Sequence, residues 1–200
     1  MADIRSALAG VYEPGRKGAG SGDAEVSIME VTGRDIVQLA AWPDTVGSVA
    51  SKAAKPVGAA LPSDTRTASS KGKTTVFKTA PEKFLVVCLL KANMGETLGK
   101  AFQPEAAVVT ELGHSRTILR VSGPKARDVL ARGLPVDLHP DVFARGAFAQ
   151  SGIHGVATLC HHSGPDQFDL IVPRNFAVVI YEWLEETAAQ FGYVVEEAGS

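Results

Sequence analysis

The stretch TAPEKFLVV (residues 79–87) returns in the second half of the chain as SGPDQFDLIV (residues 163–172). Pro81 matches Pro165, Glu82 matches Asp166 and Phe84 matches Phe168, each pair 84 residues apart. An internal repeat limits the fold more than composition does, because both copies must be satisfied by the same supersecondary unit. The surroundings repeat too. Each copy follows a strand-like run, TTVFK or ATLCHH, and precedes a helical one. Upstream, each half has a strand ending in proline, LAAWP at Pro43 or RVSGP at Pro124, where a helix opens. The shared order is strand, helix, strand, turn, strand, helix, strand. This is the split β-α-β pattern, in which two helices cover one face of a small antiparallel sheet. The expected fold is therefore α+β, a single domain of two pseudo-repeated, ferredoxin-like halves at about residues 26–112 and 113–200. Residues 1–25, glycine-rich and charged from 13 to 24, read as a flexible N-terminal extension, with a short helix compatible with residues 1–11.

Periodicity places the elements. Strands are expected at 35–42, 74–80, 84–90, 106–112, 115–123, 155–162, 166–172 and 193–197, and a helix at 96–102. Pro124 suits the first position of a helix, where its missing N–H costs nothing. Ala126, Val129 and Leu130 line one face of that helix. Residues 175–191 form the longest helix, with Phe176, Val179, Ile180, Trp183 and Leu184 at three-four spacing. Residues 62–73, PSDTRTASSKGK, read as an exposed loop.

The repeat also settles how to read Cys160-His161-His162. Proline and an acidic residue at a hairpin tip preset the turn, so residues 163–167 are a tip and the preceding tripeptide lies on a strand. Alternation then puts Cys160 and His162 on one face and His161 on the other. Three ligands to one ion are excluded, and no Cys-x-x-Cys or His-x-x-x-His pair completes a tetrahedral site. No metal is expected. Cys88 and Cys160, each inside an apolar strand, read as buried reduced thiols.

Other chemistry finds no pattern. The 20 glycines include no Gly-x-Gly-x-x-Gly between a strand and a helix, so they mark loops. Ser115 beside His114, or Ser151 near His154 with Asp137, would place sequence neighbours on opposite strand faces, and no nucleophile elbow occurs. The Glu185-Glu186 and Glu196-Glu197 pairs read as solvated surface.

With 45% apolar and 21% charged residues the chain has the balance of a folded soluble domain. A net charge of −2, without a basic run, argues against nucleic acid or an anionic membrane as partner. The longest apolar run, residues 84–90, is far short of the roughly 20 residues that cross a bilayer. No secretory leader is read at the N-terminus, and a cytoplasmic location is expected.

Residues 114–193 carry a dense family resemblance. SRTILRVSGPKARDVLARGLPVDLHP, FARGAFAQS and FDLIVPRNFAVVIYEWL strongly resemble the gamma subunit of heterotetrameric sarcosine oxidase, and LAAWPDTVGS and APEKFLVV resemble it more weakly. Such subunits are similar to a reduced folate-binding aminomethyltransferase (glycine cleavage T-protein), whose strand, Gly-Pro, helix signature VSGPKARDVL resembles. The resemblance implies membership in a complex with alpha, beta and delta subunits that demethylates sarcosine oxidatively. It would pass the one-carbon unit to tetrahydrofolate and form hydrogen peroxide. FAD, FMN, NAD, tetrahydrofolate and zinc would all reside in the partner subunits, and this chain would carry no cofactor and no catalytic residue. The Asp-x-Ser type stretch of folate-dependent relatives has no counterpart here, where the chain reads Glu111-Leu-Gly-His114-Ser. The alternatives are the equivalent subunit of an N-methylglutamate-type dehydrogenase and a stand-alone folate-dependent aminomethyltransferase. Trp42, Phe143, Phe148 and Arg174, aromatic and arginine side chains near loops, are the interface candidates.

Overall fold

A computed structural model describes residues 5–19 and 22–199. In chain order its strands are β1 (Gly15–Lys17), β2 (Val26–Val31), β3 (Arg34–Ala41), β4 (Ser69–Lys71), β5 (Thr74–Ala80), β6 (Lys83–Leu89) and β7 (Ala107–Glu111). They continue with β8 (Arg116–Ser122), β9 (Phe148–Ile153), β10 (Val156–Gly164), β11 (Gln167–Pro173) and β12 (Tyr193–Val195). The helices are α1 (Val46–Val57), α2 (Met94–Ala101), α3 (Ala126–Leu130) and α4 (Ala177–Ala188). The chain divides into two compact units, the continuous Gly33–Gly113 and a discontinuous one of Met1–Thr32 with His114–Ser200. The break after Gly113 lies beside the seam expected at 112. At the other end β2 belongs to the discontinuous unit.

In the continuous unit the sheet runs β4-β5-β6-β3-β7, every neighbour antiparallel. Alternation turns Val37, Leu39 and Ala41 of β3, Val76 of β5, and Phe84, Val86 and Cys88 of β6 to one side. There they pack with Val49, Ala53 and Val57 of α1 and with Met94 and Leu98 of α2. The alternate positions Ile36, Phe77, Leu85 and Val87 are buried as well. Burial on both faces is why β6 reads as an unbroken apolar run instead of an alternating one. Helix α1 ends at Gly58, whose φ of 76° is left-handed and whose N–H closes on Ala54 and Lys55 carbonyls.

The discontinuous unit holds a sheet in the order β1-β12-β2-β8-β11-β10-β9. β2 is antiparallel to β8 and parallel to β12, so it separates two strands that would otherwise be neighbours. Its core joins Val26 and Ile28, Leu119 and Val121, Cys160, and Phe168, Leu170 and Val172 with Ala126, Val129 and Leu130 of α3 and Ile180, Tyr181 and Leu184 of α4. Leu8 is fully buried in the same core. A side chain of that size contributes about 2 kcal/mol when removed from water. Of the helix considered for residues 1–11, residues 1–4 lie outside the described ones. The remainder makes consecutive turns, with the Val11 and Tyr12 N–H groups donating to the Leu8 carbonyl at 3.0 Å.

The two units repeat local details. In the β5–β6 hairpin the register shifts between Lys78 and Ala80, and in β10–β11 between His162 and Gly164. The tip carbonyls of Glu82 and Asp166 accept the N–H groups of Ala41 and Gly123, each at 2.9 Å. β6 and β11 both run straight into a three-residue 3-10 turn, Leu90–Ala92 and Arg174–Phe176, ahead of a helix.

The observed elements differ from expectation in three places. β1, β2, β4 and β9 have no counterpart among the expected strands. Helix α3 begins at Ala126, two residues past Pro124. The buried stripe of α4 is Ala177, Ile180, Tyr181, Leu184 and Ala188, while Phe176 and Val179 face solvent. That segment is apolar around most of its circumference, so spacing alone does not choose which stripe turns inward.

Candidate interaction surface

The four residues picked for partner contact have separate fates. Phe143 is 4% and Phe148 2% exposed, so neither has surface to offer. Phe143 instead stacks with His162 and Phe168 in the core of the discontinuous unit. Trp42 is 49% exposed, and its indole N–H donates to the Pro104 carbonyl at 3.0 Å, which ties the ring to the approach to β7. Beneath it the Thr45 hydroxyl donates to the Ala106 carbonyl at 2.7 Å. A large aromatic ring anchored by its polar atom while keeping its face in water has the chemistry of an interface anchor.

Arg174 starts the 3-10 turn after β11, where its N–H donates to the Ser115 carbonyl at 2.9 Å. Its guanidinium donates to the Arg5 carbonyl. With Ala7, His114, Ser115 and Asn175 it lines an open hollow of about 410 Å³. This hollow offers a guanidinium, an imidazole, a hydroxyl and an amide, groups suited to holding a polar or anionic surface. Trp42 belongs to the continuous unit and Arg174 to the discontinuous one.

The Cys-His-His tripeptide is built into the core. Cys160 and His162 point to the helix-covered face. The His162 ring stacks on Phe168 at 4.8 Å, and its Nδ1–H donates to the Phe143 carbonyl at 3.0 Å. His161 is buried on the opposite face, where removal from water pushes its pKa down to about 4 and keeps it neutral. Burial raises the thiols as well, Cys88 to about 11 and Cys160 further, so neither is a nucleophile at neutral pH. Neither is in a disulfide. Among the described residues no group of three or more His, Cys, Asp or Glu is placed to hold a metal ion. The expected tip is a two-residue turn at Pro165 and Asp166, with Asp166 at a φ of 44°, a left-handed conformation that aspartate tolerates.

Two carboxylates have surroundings that the sequence reading overlooked. Glu30 is 2% exposed. It accepts the Ser6 hydroxyl, the Ala7 N–H at 2.8 Å and the Thr117 hydroxyl at 3.3 Å, and so ties the N-terminal segment to β2 and β8. Its signal was present, since Glu30 falls on the same side of β2 as Val26 and Ile28, where an apolar residue would be expected. Glu185, expected to be solvated, instead accepts Tyr181 and Tyr193 hydroxyls at 2.9 and 3.2 Å and pairs with Lys17 at 2.9 Å. Burial and this carboxylate push Tyr193 up to about 12 and raise Tyr181 as well, so both phenols stay protonated as donors. Both acids are thus engaged in holding β1, the N-terminal turns and β12 to the sheet.

The family described as "Sarcosine oxidase, gamma subunit family" matches residues 43–190. The chain belongs to the sarcosine oxidase gamma subunit family. Its relatives include the sarcosine oxidase subunit gamma of Corynebacterium sp. (strain U-96), 27% identical over 172 residues that cover 86% of this chain and 83% of that protein. Among solved structures, a chain of the heterotetrameric sarcosine oxidase from Corynebacterium sp. U-96, in complex with pyrrole 2-carboxylate, superposes with a TM-score of 0.82 at 25% identity. The match covers 94% of this chain and 95% of that one. The aminomethyltransferase T of the glycine cleavage system from Bartonella henselae shares the fold, with a TM-score of 0.61 at 18% identity over 88% of this chain and 48% of its own. This chain's α+β architecture of two sheets is thus similar to that of the sarcosine oxidase chain and to about half of that aminomethyltransferase.

Proposed function

We propose that this chain is a structural subunit, without catalytic groups of its own, of a sarcosine-oxidase-like heterotetrameric flavoprotein complex. Its partners are alpha, beta and delta subunits, and the complex oxidatively demethylates sarcosine to glycine. The one-carbon unit passes to tetrahydrofolate and oxygen is reduced to hydrogen peroxide. The observation that carries this reading is the end-to-end superposition on a chain of a heterotetrameric sarcosine oxidase. FAD, FMN, NAD, tetrahydrofolate and zinc belong to the partner subunits, and the assembly works in the cytoplasm. Within the described residues no helix is long and apolar enough to cross a membrane. Trp42 and Arg174 contact partner subunits in this reading.

The fold is proposed to be a duplication of one split β-α-β unit. Support comes from register shifts, tip hydrogen bonds and 3-10 turns that recur in both units. In the continuous unit the sheet order of β5-β6-β3-β7 is that of a ferredoxin-like motif. In the other unit β2 is interposed in the same order.

Co-expression of the tagged chain with the other subunits tests the function. The expected result is one particle with a flavin absorbance spectrum and sarcosine-dependent peroxide formation. Turnover of N-methylglutamate without peroxide would favour the equivalent subunit of a dehydrogenase. Recovery of the chain alone, with tetrahydrofolate bound to it, would favour a stand-alone aminomethyltransferase. The 90-residue likeness to the aminomethyltransferase of Mycobacterium avium (strain 104), 31% identical but only 24% of that protein's length, gives that alternative its weight.

A further inference from the structure

Among the described residues, strand β7 ends its sheet with a hydrogen-bonding edge that no other strand uses. The Leu112 N–H donates to the Ile36 carbonyl at 2.7 Å, which fixes the phase of the β3–β7 ladder. Residues 108 and 110 therefore direct their backbone groups at β3, and residues 107, 109 and 111 direct theirs away from it. The Ala107 N–H is taken up by the Gln103 carbonyl at 3.1 Å. This leaves the carbonyl of Ala107 and both groups of Val109 and of Glu111 facing an open edge.

Sheet edges are normally blunted by short strands, lysine, proline or bulges. The opposite edge of this sheet, β4, is three residues long and ends in Lys71. In the other sheet β1 is three residues long and carries Arg16 and Lys17. β9 is longer, but its large apolar side chains, Phe148 and Ile153, are buried. β7, AVVTE, is five residues long with no lysine, proline or register break. Beside it lie the two apolar side chains Val108, 45% exposed, and Trp42, whose ring is tied to Pro104 three residues ahead of the strand.

We propose that β7 is a docking edge on which an extended segment of a partner subunit adds as a sixth strand. Its main chain would pair with Val109 and Glu111, and an apolar side chain of the same segment would pack on Val108 and Trp42. This occupant follows from the chemistry. A row of peptide groups that only water satisfies in the isolated chain is matched in register by another extended backbone, and alternate side chains of that backbone supply specificity. The inference rests on the complex reading above and names the surface that the complex uses.

Amide hydrogen exchange on the isolated chain and on the assembled complex tests it directly. The Val109 and Glu111 amides exchange freely in the isolated chain and slow by about tenfold or more on assembly. Glu111→Pro removes an N–H that no described strand uses, and Val108→Lys charges the apolar rim. Each is expected to lower the recovery of complex about tenfold, while isolated Val108→Lys, at a side chain 45% exposed, keeps the wild-type unfolding midpoint. Val142→Lys, at an exposed valine of the other unit, is expected to assemble normally. If the complex forms and the two amides stay unprotected, or Glu111→Pro assembles like wild type, the docking edge is overturned and the complex reading stands. A homodimer of the isolated chain that Glu111→Pro abolishes would also overturn it, by assigning the edge to a second copy. If the wild-type chain never joins the flavoprotein subunits, both readings fall together.

Discussion

Glu30 and His161 show how single residues here are governed by what surrounds them. Glu30 has no cation beside it in the described network, and its charge is held by two hydroxyls and one backbone N–H. Replacing it with alanine strands the Ala7 N–H and loosens the turn that seats Leu8. Glu30→Ala is expected to lose about 2–3 kcal/mol of stability in denaturant titration, with faster proteolysis ahead of β1. His161 gives a pH signature. Its folded pKa, about 4, lies below the ordinary histidine value of about 6.5, because burial disfavours the charged ring. As pH falls through this window the unfolded chain takes up a proton that the folded chain does not, so stability falls. The loss should reach roughly 3 kcal/mol between pH 7 and pH 4. His161→Gln should flatten the dependence of the unfolding midpoint on pH over that window. A slope unchanged by the substitution would mean that other groups set it.

At the scale of elements, turns decide more than strands do. Gly123 ends β8 with a φ of 107°, and a Cβ there would come within 2.4 Å of the Glu25 carbonyl oxygen. Its N–H also anchors the tip carbonyl of Asp166. Gly123→Ala is expected to cost about 2–4 kcal/mol, since strain and a backbone clash add together. Gly58, also left-handed but with open space around it, should cost only about 1 kcal/mol when changed to alanine. Thermal unfolding of the pair separates the two contributions. The buried strands β3, β5, β6, β8, β10 and β11 were legible because alternation or a continuous apolar run marks them. β4 and β1 were not, since three polar or charged residues make a strand only when a neighbour supplies the ladder. β9, FAQSGI, with Gly152 inside it, has equally little signal of its own. The inward stripe of α4 was misplaced for the opposite reason, an excess of apolar residues.

For the whole molecule, the main departure from the expected halves is the place of β2. Its neighbours are β8, from the second half of the sequence, and the terminal strand β12, so one sheet is closed by residues about 90 and 165 positions apart. Deleting residues 1–31 would remove this interior strand and also Leu8 and Glu30. That truncation is expected to lose cooperative unfolding of the discontinuous unit, as seen by hydrogen exchange at β8 and β11. Retention of protected β8 amides would show that β2 is dispensable. The family, by contrast, was legible over residues 114–193, because the strand, Gly-Pro, helix junction and the apolar faces around it are local in sequence.

Sequence alone determined the α+β class, the hairpin that accounts for Cys160, His161 and His162, and the family. All of these depend on short-range periodicity, turn chemistry and local motifs, which are written in consecutive residues. Tertiary structure alone decided that β2 crosses into the other unit, that Phe143 and Phe148 are interior, that Glu30 and Glu185 are engaged inside the fold, and that β7 has an open edge. Each of these depends on which distant strand supplies the partner groups. Hydrogen bonding and burial between distant residues leave no spacing in the sequence to read.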